Sequence, residues 1–308
     1  MTAQGTLALY TAVYAGGERF LPAWYASVQR QTDTDFQLWI SLDGLEIEAV
    51  EEALGTLPPA TWVPACAGDT PAQVRQGALA RIVEHCDAVV LVDSDDVLHP
   101  TRVAAARRGL GDSDVTGCAL RLVDEDGRPL GSSLGLPPDA GPADVLPRHN
   151  VYGLSNSAFR SDVLGRCLPI PAEAALVDWY LVTRAWLCGA RLDFDPVARM
   201  DYRQHGANMA RTRLPFSPDR VRSDTELVRR HFQILGDHPL AGALPDRLAR
   251  VREVTADIES FYRRVALDED NLERYVMALN AAAPAPLWWS CVAYPALRHL
   301  WTTRKEPS

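Results

Sequence analysis

Apolar residues recur along the first hundred positions in short continuous runs, and stretches with helical spacing separate these runs. A continuous run predicts a strand of a parallel sheet, because both faces of such a strand are covered and successive side chains are buried. The runs and the helical stretches cover, in chain order, residues 7–13, 19–31, 36–42, 46–54, 62–63, 71–85 and 88–92. This alternation predicts an α/β fold with a doubly wound, mostly parallel sheet and flanking helices.

Beyond residue 100 the alternation weakens, and long helical stretches dominate after residue 213. The predicted elements are helix 101–110, strand 115–123, a strand and helix within 155–164, helix 174–188, strand 191–194, and helices 219–235, 245–265 and 269–280. Residues 131–150 are rich in Gly, Pro and Asp and predict a loop. We therefore expect a sheet domain over residues 1–212 and a helical C-terminal extension over residues 213–308.

Polar residues follow three of the predicted strands, in the loop 11–17, at Asp43, and in the cluster of Asp93, Asp95 and Asp96. Ligands of open α/β sheets bind at the carboxyl ends of the strands. Three carboxylates within four residues repel each other unless a cation lies among them, and hard divalent cations prefer oxygen ligands. A solvated acidic turn that caps the next helix is the alternative.

Composition excludes several classes of function. The net charge of −9 and the lack of a long basic run before the C-terminus argue against nucleic-acid binding. The sequence has no apolar stretch of transmembrane length and no secretory signal at its start, so we expect a cytoplasmic protein. Six scattered cysteines favour reduced thiols over disulfides or a zinc site. Lys305 is the only lysine, which argues against P-loop and Schiff-base chemistry.

Four further segments follow the strand-end motifs in a fixed order. They are Pro-Ala-Gln-Val-Arg-Gln-Gly-Ala at 71–78, Gly-Leu-Ser-Asn-Ser-Ala-Phe-Arg at 153–160, Val-Asp-Trp-Tyr at 177–180 and Tyr-Arg-Gln-His-Gly-Ala-Asn at 202–208. Together with the strand-end acids, this series over residues 5–212 resembles the GT-A nucleotide-sugar glycosyltransferases. The closest likeness is to the large inverting family that contains cellulose, hyaluronan and rhamnosyl transferases. The last two segments favour its rhamnosyltransferase-like branch.

The resemblance implies a metal-diphosphate site on the acidic cluster. Asp93, with the adjacent Ser94, would contact the ribose or the metal, and Asp95 would coordinate Mn²⁺ or Mg²⁺ directly. His205 would complete the metal shell or bind the diphosphate, with Arg203 alongside. For Asp96 two roles stay open, namely a further metal ligand and the N-cap of a helix over 97–110.

The resemblance also implies a site for a uracil or thymine base. Asp43 would accept a hydrogen bond from the imide N–H, and Thr11 and Tyr14 would flank the base, with Tyr14 stacked on it. Arg75 would bind a base carbonyl or the diphosphate. The alternatives are an Asp-Gly turn, an aromatic side chain packed under its loop and a solvated arginine. Residues 45–47 depart from the acidic, serine-containing loop of the family.

Asp178 is the candidate general base for an inverting transfer, which requires a carboxylate to accept the proton of the acceptor hydroxyl. It is a lone acid in an apolar helix, which favours a raised pKa. A role as helix N-cap is the alternative. Trp179, Ser155 and Asn156 are the candidate acceptor-binding residues, and for Trp179 core packing is the competing interpretation.

We therefore expect transfer of a sugar from a UDP- or dTDP-sugar to a hydroxyl of a saccharide or lipid-linked acceptor. A non-catalytic nucleotide-sugar-binding scaffold is one alternative. A haloacid-dehalogenase-type phosphotransferase is another, although its acidic motif belongs on the first strand and it needs a later lysine. The aromatic segment 287–301 predicts either peripheral contact with the inner face of a membrane or packing on the core or on a second subunit, as in a homodimer.

Overall fold

The computed structural model describes residues 5–206, 214–284 and 286–302. Nine strands of this described part form one sheet in the order β3-β2-β1-β4-β8-β6-β9-β5, and β7 pairs with β6. The strands are β1 (Leu7–Tyr14), β2 (Gln37–Asp43), β3 (Thr61–Pro64), β4 (Ala88–Leu91), β5 (Val97–Leu98), β6 (Val115–Val123), β7 (Pro129–Leu134), β8 (Ser157–Arg160) and β9 (Leu192–Arg203).

Helices cover the sheet and form the C-terminal extension. Those of the described residues are α1 (Leu21–Gln29), α2 (Ile47–Leu54), α3 (Pro71–His85), α4 (Arg102–Asp112), α5 (Pro142–Val145), α6 (Ser161–Cys167), α7 (Val177–Leu187), α8 (Pro218–Asp237), α9 (Pro245–Phe261) and α10 (Glu269–Ala282). Short 3₁₀ segments at Glu18–Phe20 and Pro295–Leu300 and a π segment at Tyr262–Ala266 add to them. The predicted α/β architecture with a helical extension is confirmed.

The first half of the sheet brings the predicted strand-end residues together. Strand β1 pairs in parallel with β2 and β4, and its register places Tyr14 opposite Asp43. The ladder continues past β4, where the Val92 N–H donates to the Tyr10 carbonyl at 3.0 Å. The carboxyl ends of parallel strands lie at the same end of the sheet, so Tyr14, Asp43 and Asp93 are neighbours there.

The second half of the sheet is mixed, and here one prediction was incomplete. Strand β8 runs antiparallel between β4 and β6, and β6 pairs in parallel with β9. Strand β9 is a single twelve-residue strand with register shifts, whereas the sequence predicted a strand only over residues 191–194. Most of its middle is only partly buried or exposed and contains Pro196, so the apolar pattern is interrupted there.

The segment expected to be a loop over residues 131–150 contains regular structure. Strand β7 forms a hairpin with β6, and the short helix α5 follows it. The turn of the hairpin contains Gly127 at a φ of +84°. Because β7 is mostly exposed, its sequence lacks the apolar run that identified the other strands.

Two helix starts decide where site residues lie. Helix α3 begins as predicted, with the Thr70 hydroxyl accepting from the Gln73 N–H and the Gln73 side chain returning the bond. Helix α7 begins at Val177, three residues later than the apolar pattern predicted. Asp178 therefore lies in the first turn of its helix and not in its interior.

The C-terminal segment packs on the protein. Trp288, Trp289 and Trp301 are 4%, 8% and 1% exposed, so their indoles are unavailable to a lipid surface in this structure. Of the two interpretations of this segment, packing on the core is the one observed, although only a 3₁₀ turn of it is helical. Residues 303–308, which include Arg304 and Lys305, and residues 207–208 lie outside the described residues. The domain boundary at residue 212 stays a prediction. Every helix in the described part is too short or too polar to cross a bilayer.

Candidate active site

A cavity of about 490 Å³ opens at the carboxyl edge of the parallel strands. Its lining comes from strand ends, from the start of α3, from the segments before β8 and α7, and from the C-terminal segment. The lining residues used below are Tyr14, Asp43, Arg75, Asp93, Asp95, Gly153, Ser155, Glu173, Asp178, Tyr202, His205, Trp288 and Trp289. Most of the predicted site residues thus meet in one place.

The acidic cluster follows β4 and forms one wall of the cavity. One carboxylate oxygen from each of Asp93, Asp95 and Asp96 lies within 4.8 Å of the other two. The buried Asp96 carboxylate accepts the Arg203 N–H at 2.7 Å and a hydrogen bond from the Ser155 hydroxyl. The helix-cap interpretation of Asp96 is wrong, because β5 follows it and α4 begins only at Arg102.

Burial of this cluster opposes its own ionisation. Desolvation, and then the charge of Asp95, raise the pKa of Asp93 to about 6, and the same causes raise the pKa of Asp96 well above its usual value. A cation with oxygen affinity offsets both effects, since it attracts the carboxylates that repel each other. This donor set therefore fits Mg²⁺ or Mn²⁺.

Two side chains converge on one oxygen of Asp95. The Tyr14 hydroxyl donates to Oδ2 at 3.1 Å, and His205 Nε2 lies 2.9 Å from the same atom. His205 also packs against Phe20, with 5.0 Å between ring centroids. The Tyr14 hydroxyl is thus engaged with the acidic cluster, which is a different arrangement from the base stacking expected of this residue.

Asp43 and Arg75 face each other farther along the wall. Asp43 Oδ2 lies 3.9 Å from Arg75 Nη1, and the same Nη1 donates to the Pro71 carbonyl at 3.0 Å. Asp43 ends β2, and Gly44 continues the chain at a φ of +65°, as the Asp-Gly turn requires. The pair offers one acceptor and one cationic donor side by side.

Asp178 lines the same cavity from the first turn of α7, and both oxygens of its carboxylate accept hydrogen bonds. Oδ1 accepts the Trp179 N–H at 2.7 Å, and Oδ2 accepts the Asn150 amide at 3.1 Å. Burial is the main cause that raises the pKa of Asp178, to about 7. A carboxylate with such a pKa can accept a proton near neutral pH. The N-cap of α7 is Leu176, so the alternative role of Asp178 as an N-cap is not observed.

Several predicted site residues support the cavity without lining it. The buried Ser94 hydroxyl donates to the Ala12 carbonyl at 2.9 Å, and the buried Asn156 amide donates to the Cys118 and Val151 carbonyls. Arg203 Nε donates to the Asp95 carbonyl at 2.8 Å, and its Nη1 donates to the Glu125 carbonyl. Thr11 is buried inside β1. These side chains fix the backbone that carries the acids.

The expectation that Trp179 lines an acceptor pocket is wrong in this structure. Its side chain is 0% exposed and stacks on His231, with 4.5 Å between ring centroids and an interplanar angle of 17°. Burial lowers the pKa of His231 to about 3, so the imidazole is neutral. Trp179 is a core residue whose backbone N–H, not its ring, serves the site.

Three residues of the site escaped the sequence analysis. Asn150 lies in the segment predicted to be a loop, and Trp288 and Trp289 lie in the segment predicted to contact a membrane or to pack on the core or on a second subunit. The backbone of Asn150 forms an isolated antiparallel bridge with Trp288, which joins these two segments. The contact spans more than a hundred residues and no local pattern indicates it, although the paired tryptophans after a proline-rich linker were a visible signal.

Comparison with known proteins supports the fold. No family model and no curated protein matches the chain by sequence. Among solved structures, S. aureus TarS in complex with UDP-GlcNAc has a TM-score of 0.55 and 15% identity, covering 83% of this chain and 72% of that one. The mannosyltransferase PcManGT from Pyrobaculum calidifontis, in complex with GDP-Man and Mn²⁺, has a TM-score of 0.56 and 16% identity, covering 92% and 77%. These likenesses confirm the predicted GT-A-type fold.

Proposed function

We propose that this protein is a metal-assisted inverting glycosyltransferase that moves a sugar from a nucleoside diphosphate to an acceptor hydroxyl. The observation that carries the proposal is that Asp93 and Asp95 of the acidic cluster line the same cavity as Asp178. Solved structures with the same fold are complexes with UDP-GlcNAc and with GDP-Man and Mn²⁺, which is consistent with such a donor.

The donor wall comprises Tyr14, Asp43, Arg75, Asp93, Asp95 and His205. Asp43 accepts the imide N–H of a uracil or thymine base, and Arg75 donates to a base carbonyl or to the diphosphate. These roles favour a UDP- or dTDP-sugar. Placement in the rhamnosyltransferase-like branch rests on the sequence resemblance over residues 177–180 and 202–208 and is part of the proposal.

Asp93 and Asp95 are the proposed metal ligands, with Asp96 and His205 completing or supporting the set. When bound, Mn²⁺ or Mg²⁺ supplies positive charge for the diphosphate that departs. The Tyr14 hydroxyl and His205 hold Oδ2 of Asp95, so that the carboxylate keeps its orientation. Ser155 Oγ lies 3.0 Å from Asp93 Oδ2 and also within hydrogen-bond distance of Asp96 Oδ2, so its one proton is shared between these two carboxylates.

Asp178 is the proposed general base. Its Oδ atoms accept the proton of the acceptor hydroxyl as that oxygen attacks the anomeric carbon on the face opposite the leaving diphosphate. The new glycosidic bond forms as the bond to the diphosphate oxygen breaks. Asn150 orients the carboxylate and stabilises its ionised form through the bond to Oδ2.

The acceptor is a saccharide or a lipid-linked saccharide, and the reaction belongs to glycan synthesis in the cytoplasm. All six cysteines lie in the described part of the chain and are free, which is consistent with a reducing compartment. Nothing in the charge of the protein favours a nucleic-acid partner. These finer assignments rest on the sequence.

A donor screen tests the proposal. Melting temperature is measured with UDP-, dTDP- and GDP-sugars, each with and without Mn²⁺, because a ligand that binds the folded state raises it by mass action. We expect a rise for one donor that needs the metal. In Asp95→Asn the metal affinity falls at least 10–100-fold, roughly the loss seen for weaker outer-shell changes, and the rise disappears.

Two controls give the screen its meaning. Arg121→Gln removes an exposed ion pair with Asp201 outside the cavity and is expected to keep the wild-type response. Release of nucleoside diphosphate is then measured by chromatography. Donor binding without any release, with water or with a saccharide panel, would favour the non-catalytic scaffold over the enzyme.

A further inference from the structure

A second cavity, of about 360 Å³, shares no lining residue with the candidate active site. It lies between helix α4 and the strands β6 and β9. Its lining comprises Arg102, Ala105, Ala106, Arg108, Gly109, Thr116, Gly117, Cys118, Asp193, Asp195 and Arg199. A volume of this size is typical of sites for small molecules.

A bulge in β9 lies directly beside this cavity. Cys118 of β6 pairs with Asp195, whereas the next residue, Ala119, pairs with Ala198. Residues 196–197 are therefore extra residues of β9 that have no partner in β6. Bulges redirect neighbouring side chains and are over-represented next to functional sites.

Arg102 is a buried cation that lines this cavity without an acidic partner. It is 1% exposed, and it forms no ion pair with any acidic residue of the described ranges. Its Nη2 donates to the Ser157 carbonyl at 3.0 Å, and its Nε is buried without a partner. Its Nη1 also has no partner among these residues but is not fully buried. A buried charge is costly unless a counter-charge compensates it, so an anion in the cavity would stabilise Arg102.

The carboxylates of the cavity are engaged with other groups. Asp195 Oδ2 accepts from Arg199 Nε at 2.8 Å, and Asp193 Oδ2 accepts from the Thr116 hydroxyl at 3.2 Å. Arg108 is exposed and forms no ion pair with the acidic residues that the structure describes. The lining thus contains three arginines and two aspartates, a local excess of positive charge in a protein whose net charge is −9.

We propose that this cavity is a second ligand site, which binds the phosphate group of a small anion. Arginine guanidinium groups match the oxygens of a phosphate and form short, charge-assisted hydrogen bonds with them. Arg102, through Nη1, and Arg108 donate to the phosphate. Asp193 is exposed and accepts from a hydroxyl where the phosphate is esterified to a polyol. The inference does not depend on the proposed function, because the cavity contains none of the donor residues and binding there requires no metal.

Calorimetric titration with inorganic phosphate, in EDTA and at constant ionic strength, tests the site. EDTA removes divalent ions, so phosphate does not bind through a metal on the acidic cluster. We expect saturable binding to the wild type and, with the same Kd, to Asp95→Asn. Arg102→Met removes the buried charge, and the Kd rises at least about tenfold, as expected for the loss of a charge-assisted hydrogen bond.

A variant of an exposed residue keeps the test valid if Arg102→Met does not fold. Arg108→Gln removes one cation of the lining without breaking a described contact, and the Kd rises about two- to fivefold, as for other exposed charge pairs. Arg252→Gln is the matched control, because Arg252 is an exposed arginine of α9 that lines neither cavity. Its Kd stays at the wild-type value.

Glucose 6-phosphate distinguishes a phosphate ester from the free ion as the ligand. A lower Kd than that of inorganic phosphate, lost in Asp193→Asn, assigns the site to a hydroxylated ester, and an equal Kd assigns it to the free ion. The inference is overturned if the wild type binds neither compound in EDTA, or if Arg102→Met and Arg108→Gln both keep the wild-type Kd. Neither result changes the proposed function, which the donor screen tests separately.

Discussion

The donor wall and a second part of the lining, the acceptor wall of residues 153–155, 172–178 and 288–289, face the same cavity but are assembled differently. Tyr14, Asp43 and Asp93 follow three strands that lie side by side in parallel, so the sheet itself brings them together. The acceptor wall draws on three segments that are distant in sequence, and a backbone bridge between Asn150 and Trp288 joins two of them. Backbone pairing of the strands is enough to place the donor residues side by side, without contacts between their side chains. The acceptor wall forms only when its distant segments pack against one another.

The two walls also differ in charge. The donor wall concentrates carboxylates whose burial raises their pKa values, and a cation relieves this. On the acceptor wall, burial is the main cause that raises the pKa of Asp178 to about 7, while the charge of Asp93 acts in the same direction and that of Arg75 opposes it. The donor wall therefore suits the binding of a cation, and Asp178 on the acceptor wall suits the acceptance of a proton.

The largest expected effect is a loss of transfer without a loss of donor binding, on substitution of Asp178. Asp178→Asn removes the proton acceptor and leaves one acceptor oxygen, which can serve the Trp179 N–H or the Asn150 amide but not both. Transfer falls by about 10²–10⁴-fold, while the donor-induced melting shift in Mn²⁺ stays within error of wild type. Product release is followed by chromatography at saturating donor.

A loss of donor binding that equals the loss of transfer would contradict this separation, because Asp178 would then belong to the donor wall. Asp178→Glu serves as the control, since it keeps the carboxylate but displaces it. We expect it to retain more activity than the amide variant.

The pH dependence is expected to have a smaller effect. Asp178 must be ionised to accept a proton, and burial raises its pKa to about 7, so the active fraction is lost as the pH falls below that value. The transfer rate drops roughly tenfold per pH unit on the acid side. It is measured from pH 5.5 to 9, with the donor-induced melting shift recorded at each pH to separate any loss of donor.

Asn150→Ala tests whether the hydrogen bond from Asn150 sets the pH dependence of transfer. Loss of the amide that donates to Oδ2 disfavours the ionised carboxylate, so the acid limb moves to higher pH. An unchanged limb in this variant, together with normal melting, would show that Asn150 is only a structural residue of the wall.

The smallest kinetic effect is expected at Trp179. Trp179→Phe weakens core packing against His231 and lowers the free energy of unfolding by about 0.5–3 kcal/mol, but the acceptor KM stays unchanged. Thermal melting and transfer kinetics check the two parts. A raised acceptor KM with an unaltered melting temperature would contradict the assignment of Trp179 to the core.

The donor wall was predictable to a large extent because its signals are local. A buried apolar run locates a strand, and the polar residue after it then lies at a known edge, as for Asp43 and Asp93. The bounds of helix α3, residues 71 and 85, were both predicted. Asp96 is the exception, because an aspartate at this position in the sequence could be either a helix N-cap or a buried metal ligand. Only the position of β5, directly after it, distinguishes the two roles.

The acceptor wall was less predictable because its decisive properties are contacts. Trp179 and Trp289 are both tryptophans in apolar surroundings, yet one stacks on His231 in the core and the other lines the cavity. Asn150 became visible only when the Asp178 carboxylate was found beside its amide. Hydrophobic periodicity reports which side chains are buried and not what they are buried against.

The sequence by itself determined the alternation of strands and helices, the edge at which the acids collect and the identity of Asp178 as an isolated carboxylate. These follow from periodicity and from the geometry of parallel sheets, which act over a few residues at a time. Only the tertiary structure decided that the segment 287–294 returns to the cavity and that Trp179 does not reach it. Packing between distant segments determines which side chains reach the cavity, because the free energy of burial depends on the apolar area removed from water and not on the order of residues along the chain.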